Sequence, residues 1–356
     1  ETGITPAVSD ELHLDLNAYA NQHTLQPLTG FRVGMIGDKA TRFDYDKTVS
    51  YGIRRCEFDH YLLKRCGAEL ITGTAVKSMQ RSESGWMIND DIRARLLVGA
   101  GGHFCPVARK LGARPGQQEP AVVAKEIEFL MNHDQVMQCA VDEHVPELYF
   151  CKDLKGYGWV FRKGNYLNIG LGRQDTNKLG QHVKAFVDEL VDAGRLPPGI
   201  DDKFNGHAYL LYNDCGRKLI DDQVMLIGDA AGLAYTQSGE GIRPAVESAL
   251  MAAAVIEHAQ GDYTTAQLQP YQQQLTDRFG QRQTNSKSMF LPEGLRHFLG
   301  SKLLANRWFS KEPKSKVFLG AYPEPSAYYI MLDVSEGDNF ILYSKLLIYG
   351  RGSGGI

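Results

Sequence analysis

The residues best placed to do chemistry lie in one run of this chain. Val224-Met-Leu-Ile-Gly-Asp-Ala-Ala-Gly232 sets four apolar residues ahead of a turn of small residues that carries one acid, Asp229. A short apolar run that ends in glycine reads as a buried parallel strand, and the small residues after it let a ligand approach the backbone. A carboxylate beside exposed N–H groups suits a hydrogen bond to a sugar-like hydroxyl. Gly239-Glu-Gly-Ile242 follows, ahead of a stretch from Pro244 to about Ala259 that reads as a long helix. The first-turn N–H groups of such a helix, with its positive dipole end, suit an anionic or electron-rich ring edge. The candidate cofactor-binding residues are therefore Gly228, Asp229, Ala230, Ala231, Gly232, Gly239, Glu240, Gly241 and Ile242. Glu240 reads equally well as a surface cap of the helix it precedes.

Other chemistry finds little support. The six cysteines, Cys56, Cys66, Cys105, Cys139, Cys151 and Cys215, form no C-x-x-C pair, and the ten histidines show no metal-ligand spacing. No metal is expected. No Ser-His-Asp set or paired carboxylates stand out, so no catalytic acid or base is assigned. With 356 residues, 43% of them hydrophobic and 23% charged, the chain is large enough for two packed domains. A net charge of -3 and a pI near 6.4 give no reason to expect nucleic acid. No apolar run is long enough for a membrane span and no signal peptide opens the chain, so a reducing cytoplasm is the expected setting.

The elements that must position the candidates alternate along the chain. Residues 31–36, 41–46 and 49–55 read as half-buried strands. A helix is expected from Glu57 to about Cys66, with Lys64 and Arg65 at its C-terminal end as the dipole prefers. Leu70 to Ile92 reads as a β-meander that leads to Leu96-Leu-Val-Gly-Ala-Gly-Gly102, a second buried strand feeding a glycine turn. From about Pro120 to Leu211 the pattern is mostly strands, with one helix from Gln181 to Ala193.

In this order Arg55-Cys-Glu-Phe-Asp-His-Tyr-Leu62, the Gly99-Ala-Gly-Gly turn, Gly156-Tyr-Gly-Trp-Val-Phe161 and the run from Gly228 to Ile242 resemble the geranylgeranyl reductase family of FAD-dependent oxidoreductases. The likeness covers roughly residues 1 to 310, and Gly3-Ile-Thr-Pro6 resembles the family's segment just after its first unit. It implies a mixed α/β fold in which an incomplete Rossmann-like FAD-binding domain is interleaved with an antiparallel-sheet substrate domain and followed by C-terminal helices. The implied FAD segments are 1–20, 55–118 and 215–262. The sheet domain takes 21–54 and 119–214, the C-terminal helices 263–312 and a divergent tail 313–356. The G-x-G-x-x-G turn that opens such folds is absent, so a first βαβ unit of roughly forty to fifty residues is expected before Glu1.

By the same resemblance Asp229 would bind the ribityl chain, and Gly241 with Ile242 would present N–H groups to the flavin N1 and O2 edge. Gly99, Ala100, Gly101 and Arg55 join the cofactor-binding set, although Arg54 and Arg55 also read as a plain surface pair. Gly101 stands where many relatives carry Asp. Tyr157, Trp159 and Phe161 alternate, so one strand face carries all three, as the wall of an apolar substrate cavity or as core packing. The implied reaction is hydride transfer from reduced FAD to a carbon-carbon double bond of a prenyl, lipid or other apolar substrate, with NAD(P)H or a carrier protein as electron donor. Two alternatives stay open, an FAD-dependent monooxygenase or halogenase-like enzyme and a truncated domain that holds no FAD. Between Asp277 and Lys316, nine Lys or Arg stand against three Asp or Glu, interleaved with apolar residues at helical spacing. Such a helix rests on an anionic membrane or caps a core. Oligomeric state is not read from the sequence.

Overall fold

The structure is a computed structural model that describes residues 3–282 apart from 118, 176, 177 and 237. The tail 313–356 and most of the basic amphipathic stretch therefore lie outside the described residues. Among the described residues the chain folds as two units, one built from residues up to Glu57 with Val122–Ala208, the other from Phe58–Ala121 with the described residues from Tyr209.

The first unit opens with β1 (Gly3–Ile4), α1 (Pro6–Glu11), α2 (Leu16–Ala20), β2 (Leu25–Leu28), β3 (Gly30–Met35), β4 (Thr41–Asp44) and β5 (Ser50–Ile53). Helix α3 (Arg55–Arg65) carries the chain across the division. The second unit continues with β6 (Met79–Ser82), β7 (Gly85–Ile88), β8 (Ile92–Ala94), β9 (Leu97–Gly99) and α4 (Pro106–Lys110). The chain then returns to the first unit for β10 (Ala121–Leu130), α5 (His133–Gln138), β11 (Glu147–Phe150), β12 (Gly156–Lys163), β13 (Tyr166–Arg173), α6 (Leu179–Asp192) and β14 (Asn205–Leu210). Its last described elements are β15 (Ile220–Asp221), β16 (Val224–Leu226), α7 (Gly228–Ala231), α8 (Ile242–His258) and α9 (Thr265–Phe279).

In the first unit, a seven-stranded sheet runs in the order β14-β10-β13-β12-β11-β3-β4, and a three-stranded sheet in the order β1-β5-β2. The pairs β10–β13, β13–β12, β12–β11 and β3–β4 are antiparallel, whereas β11 and β3 are parallel. One face of the large sheet is closed by α6. Leu179, Val183, Phe186, Val187 and Leu190 recur at helical spacing, so their side chains form the apolar stripe that buries Val160, Leu167, Ile169 and Leu171 of β12 and β13. Gly158 is the recess that admits this helix: a Cβ there would stand 2.6 Å from the Phe186 ring.

In the second unit, β15-β16-β9 form one three-stranded sheet and β6-β7-β8 another. Strand β9 pairs in parallel with β16, Leu97 with Val224 and Gly99 with Leu226, under a core shared with α8 and α9. Tyr271 of α9, fully buried, donates its hydroxyl to the Leu226 carbonyl at 2.7 Å. This ties the C-terminal helix to the strand that leads into the Asp229 turn.

Several expectations shift. The meander begins at Met79 rather than Leu70, because residues 66–78 contain no strand or helix. Residues 3–20 cluster with the sheet unit, not with β9 and β16, since β1 pairs with β5 through Gly3–Gly52 and Ile4–Tyr51. Helix α8 starts two residues before Pro244, at Ile242. The short helices α1, α2, α4 and α5, each six residues or fewer, give too few turns for an apolar period to show.

Because Phe186 is 1% exposed and fills the recess of Gly158, Phe186→Ala is expected to destabilise the first unit by about 3–5 kcal/mol. Urea unfolding followed by tryptophan fluorescence checks this, Trp159 being the reporter in that unit.

Candidate functional site

The second unit brings the sequence candidates together at one edge of a sheet. Strands β9 and β16 run parallel and end side by side, and the Ile227 N–H donates to the Gly99 carbonyl at 3.0 Å. The Gly99–Gly102 turn and the Gly228–Gly232 turn thus leave the same carboxyl edge, where ligands of open α/β sheets bind. Gly228 and Gly232 both adopt positive φ, 54° and 67°, which glycine alone takes at little cost. Asp229 is half-buried between the buried Gly228 and Ala230. At the other turn, Gly102 has a φ of 76°, and no atom lies within 4 Å of where its Cβ would stand, so the backbone there is open to a neighbour.

Two hydrogen bonds carry the first turn to the second glycine pair. Gly228 N–H donates to the Ser248 hydroxyl of α8 at 3.0 Å, and Ser248 in turn donates to the Ala245 carbonyl. The intervening loop folds on itself, Tyr235 N–H to the Glu240 carbonyl at 2.9 Å and Gly239 N–H to the Tyr235 carbonyl at 2.8 Å. Gly239 has a φ of 71° and packs so tightly that a Cβ would meet the Tyr209 hydroxyl at 2.6 Å. Gly241 is the N-cap of α8, and a glycine has no side chain of its own to cap that end. Asp229 and the start of α8 therefore belong to one small region. Their donor and acceptor set fits a sugar-alcohol chain running toward a helix N-terminus.

Buried ion pairs brace this region. Arg243 and Arg278 both donate at 2.8 Å to the same Glu247 carboxylate oxygen, and Arg278 also reaches the Tyr235 hydroxyl at 3.0 Å. Burial pushes the Tyr235 phenol well above its ordinary range, so it stays protonated. Arg217, in the segment before β15, pairs with Glu119 and lies against His103, the residue that follows the Gly99–Gly102 turn. Sequence reading missed all of these braces. Arg243 and Glu247 stand four residues apart on α8, but the partners of Arg278 and Arg217 lie far away along the chain, where no local spacing marks them.

The remaining candidates belong to the first unit. Trp159 is buried and donates its indole N–H to the Asn168 side chain at 2.8 Å, and Asn168 donates to Glu126. Its ring lies over Gly170, where a Cβ would collide with it. Tyr157 and Phe161, on the same face, are half-buried, and Tyr157 stands 5.9 Å from Trp159. Of the arginine pair, Arg54 is engaged with Glu57 at 2.5 Å, with Glu128 at 3.3 Å and with the Tyr166 ring at 3.8 Å. Arg55 is exposed at the start of α3. Among the described residues no His, Cys, Asp or Glu cluster could hold a metal, and no helix is long and apolar enough to cross a membrane.

Acid should loosen the second unit in two stages. Burial, and then the charge of Arg217, hold the His103 imidazole below its usual 6.5, while the hydrogen bonds of Arg217 hold the Glu119 carboxyl below its usual 4.5. Both depressed groups bind protons more readily unfolded, so stability falls as pH drops below about 6.5 for His103 and below about 4.5 for Glu119. The Glu119 contribution is lost as pH passes down through its folded value. Urea midpoints measured against pH should show Glu119→Gln flattening the lower limb and steepening the upper one, because the Glu119 charge opposes the depression of His103.

No protein-family model matches the chain. The digeranylgeranylglycerophospholipid reductase of Methanocaldococcus jannaschii is 24% identical over 248 residues, a match covering 65% of this chain and 62% of that protein. The chain thus spans about three fifths of the length of that relative. A solved geranylgeranyl bacteriochlorophyll reductase-like protein from Thermoplasma acidophilum aligns with a TM-score of 0.64 and 20% identity, over 85% of this chain and 77% of that one. PqsL of Pseudomonas aeruginosa, a probable FAD-dependent monooxygenase, aligns with a TM-score of 0.57 and 20% identity, over 87% of this chain and 88% of that one. By sequence this chain is similar to digeranylgeranylglycerophospholipid reductases, and its fold is similar to that of geranylgeranyl reductase-like and other FAD-dependent proteins.

Proposed function

We propose that this chain is an FAD-dependent oxidoreductase that reduces carbon-carbon double bonds of a prenyl-bearing lipid or another apolar substrate. The observation that carries the reading is the Gly228–Ser248 bond, which joins the Asp229 turn to the helix that begins at Ile242. Asp229 would accept a hydrogen bond from a ribityl hydroxyl, and the backbone N–H groups of Gly241 and Ile242 would face the pyrimidine edge of the flavin. Gly99, Ala100 and Gly101 offer a close backbone approach on the neighbouring strand. Arg55 joins this set on the family resemblance alone. Bound FAD supplies the hydride chemistry once it has been reduced.

An apolar substrate is supported by the sheet unit. Tyr157, Trp159 and Phe161 share one strand face, and Tyr157 and Phe161 are only half-buried, which would leave part of it open to an apolar chain. The polar edge of Trp159 is already satisfied by Asn168, so this face offers shape and dryness rather than a proton. The electron donor is taken to be NAD(P)H or a carrier protein, on the family resemblance alone. Contact with a membrane surface would give such an enzyme access to a lipid substrate.

The protein should take up FAD with quenching of flavin fluorescence. Reduced anaerobically, the flavoprotein should add paired hydrogens to a geranylgeranyl lipid, read by mass spectrometry. Hydroxylated product in air would instead establish the oxygenase reading, and failure to take up FAD would remove the flavin altogether. Asp229→Asn should raise the FAD dissociation constant about ten- to a hundredfold, as expected for one charge-assisted hydrogen bond.

A further inference from the structure

The Arg217 side chain is 1% exposed and spends every N–H it has. Its Nε and one terminal nitrogen grip the Glu119 carboxylate at 2.8 and 2.6 Å, a bidentate fork. The same terminal nitrogen donates to the His103 carbonyl at 2.9 Å. The other terminal nitrogen donates to the Ala230 carbonyl at 2.8 Å and reaches the Asp229 carbonyl at 3.4 Å. One guanidinium therefore holds the backbone just beyond the Gly99–Gly102 turn and the backbone of the Asp229 turn at once. Arg282 completes the brace with bonds at 2.9 Å to the carbonyls of Ala231 and Cys215.

These bonds fall where the backbone most needs them. Helix α7 is a single turn, Gly228–Ala231, so short that its carbonyls need partners from outside it beyond the Gly232 N–H that donates to the Asp229 carbonyl at 3.2 Å. It is entered and left through glycines at positive φ, a conformation that costs chain entropy to fix. Ser248 holds it from the N-terminal side and Arg217 and Arg282 from the C-terminal side, with the Asp229 side chain between. A lysine in place of Arg217 would keep the charge opposite Glu119 but lacks the planar fork, and could not reach both turns.

We propose that Arg217 is a positioning residue for the cofactor. By pinning the Asp229 and Ala230 carbonyls to the His103 carbonyl, it fixes the distance between the two glycine turns and aims the Asp229 carboxylate at a ribityl hydroxyl. This inference rests on the flavin reading above. It assigns Arg217 no contact with the cofactor and no charge effect on it, because Glu119 neutralises the guanidinium.

The test compares Arg217→Lys, Arg217→Gln and Arg195→Gln in the full chain. Arg195 forms an ion pair with the buried Glu147 in the other unit, so its variant serves as a destabilised control away from the two turns. Three quantities are measured: the melting temperature of the apoprotein, the FAD dissociation constant by flavin fluorescence, and the visible circular dichroism of bound flavin. Amide hydrogen exchange of the apoprotein is followed in parallel. Arg217→Lys should recover most of the melting temperature that Arg217→Gln loses, yet bind FAD at least about tenfold more weakly than the original chain. Its bound flavin should show altered dichroism, and amide exchange should quicken at residues 99–103 and 228–232. Arg195→Gln should lower the melting temperature with neither effect. Unchanged FAD affinity and dichroism in Arg217→Lys would overturn the proposal, as would an equal loss of affinity in Arg195→Gln. If Arg217→Gln does not fold, Arg217→Lys and Arg195→Gln still decide. Failure of the original chain to bind FAD would instead sink the flavin reading, and this proposal with it.

Discussion

The second unit depends on a short parallel pairing, Leu97–Gly99 against Val224–Leu226. Parallel strands end at the same edge, so the turns that follow them are neighbours by construction. Everything proposed for the site uses that fact. A carboxylate on one turn and open glycine backbone on the other could not serve one ligand if the strands were antiparallel, because the turns would then sit at opposite ends. The pairing is backed by a core that includes Val224, Met225 and Leu226 on the sheet side and Ala252, Val255 and Tyr271 on the helix side. Apolar burial thus fixes the strands, and the strands fix the turns.

Pairing alone leaves the turns themselves loose. Glycines at positive φ make a tight approach possible but confer no rigidity. The structure supplies stiffness from outside the turns, through Ser248 on α8, Tyr271 on α9 and the guanidinium groups of Arg217 and Arg282. These are hydrogen bonds to backbone atoms, so they constrain conformation whatever side chains the turn carries. The same logic extends to the next loop, where Arg278 holds both Tyr235 and Glu247 while the Tyr235 backbone folds the Gly239 segment back on itself.

This division explains what could be read from the sequence. Val224–Gly232 and Gly239–Ile242 were legible because strand, turn and helix start are local patterns of residue type. Helices α3, α6 and α8 were legible, to within two residues or so, because their apolar stripes repeat over several turns. Arg217 was not legible: Glu119 lies 98 residues before it and His103 114 residues before it, and nothing near Cys215-Gly-Arg217 announces such partners. The sheet unit shows the same limit. Alternation placed Tyr157, Trp159 and Phe161 on one strand face, but α6 could have covered either face. Gly158 facing Phe186, and Val160 buried with the α6 stripe, show that the helix took the other one. The aromatic row therefore escaped the principal apolar core of its unit, although Trp159 found a polar partner in Asn168.

The choice of arginine in these braces has a consequence for how the site responds to its surroundings. A guanidinium stays charged across the biological pH range and offers directed donors, so the carbonyls it holds do not lose their partner on the basic side. The weak points are the anionic and imidazole groups that accompany it. Glu119 must remain ionised to grip Arg217, and His103, buried against the same guanidinium, must remain neutral. Acid attacks both requirements and base attacks neither. Rigidity at the Asp229 turn is thereby tied to proton concentration through residues that never need touch the ligand, which separates the tuning of the site from its chemistry.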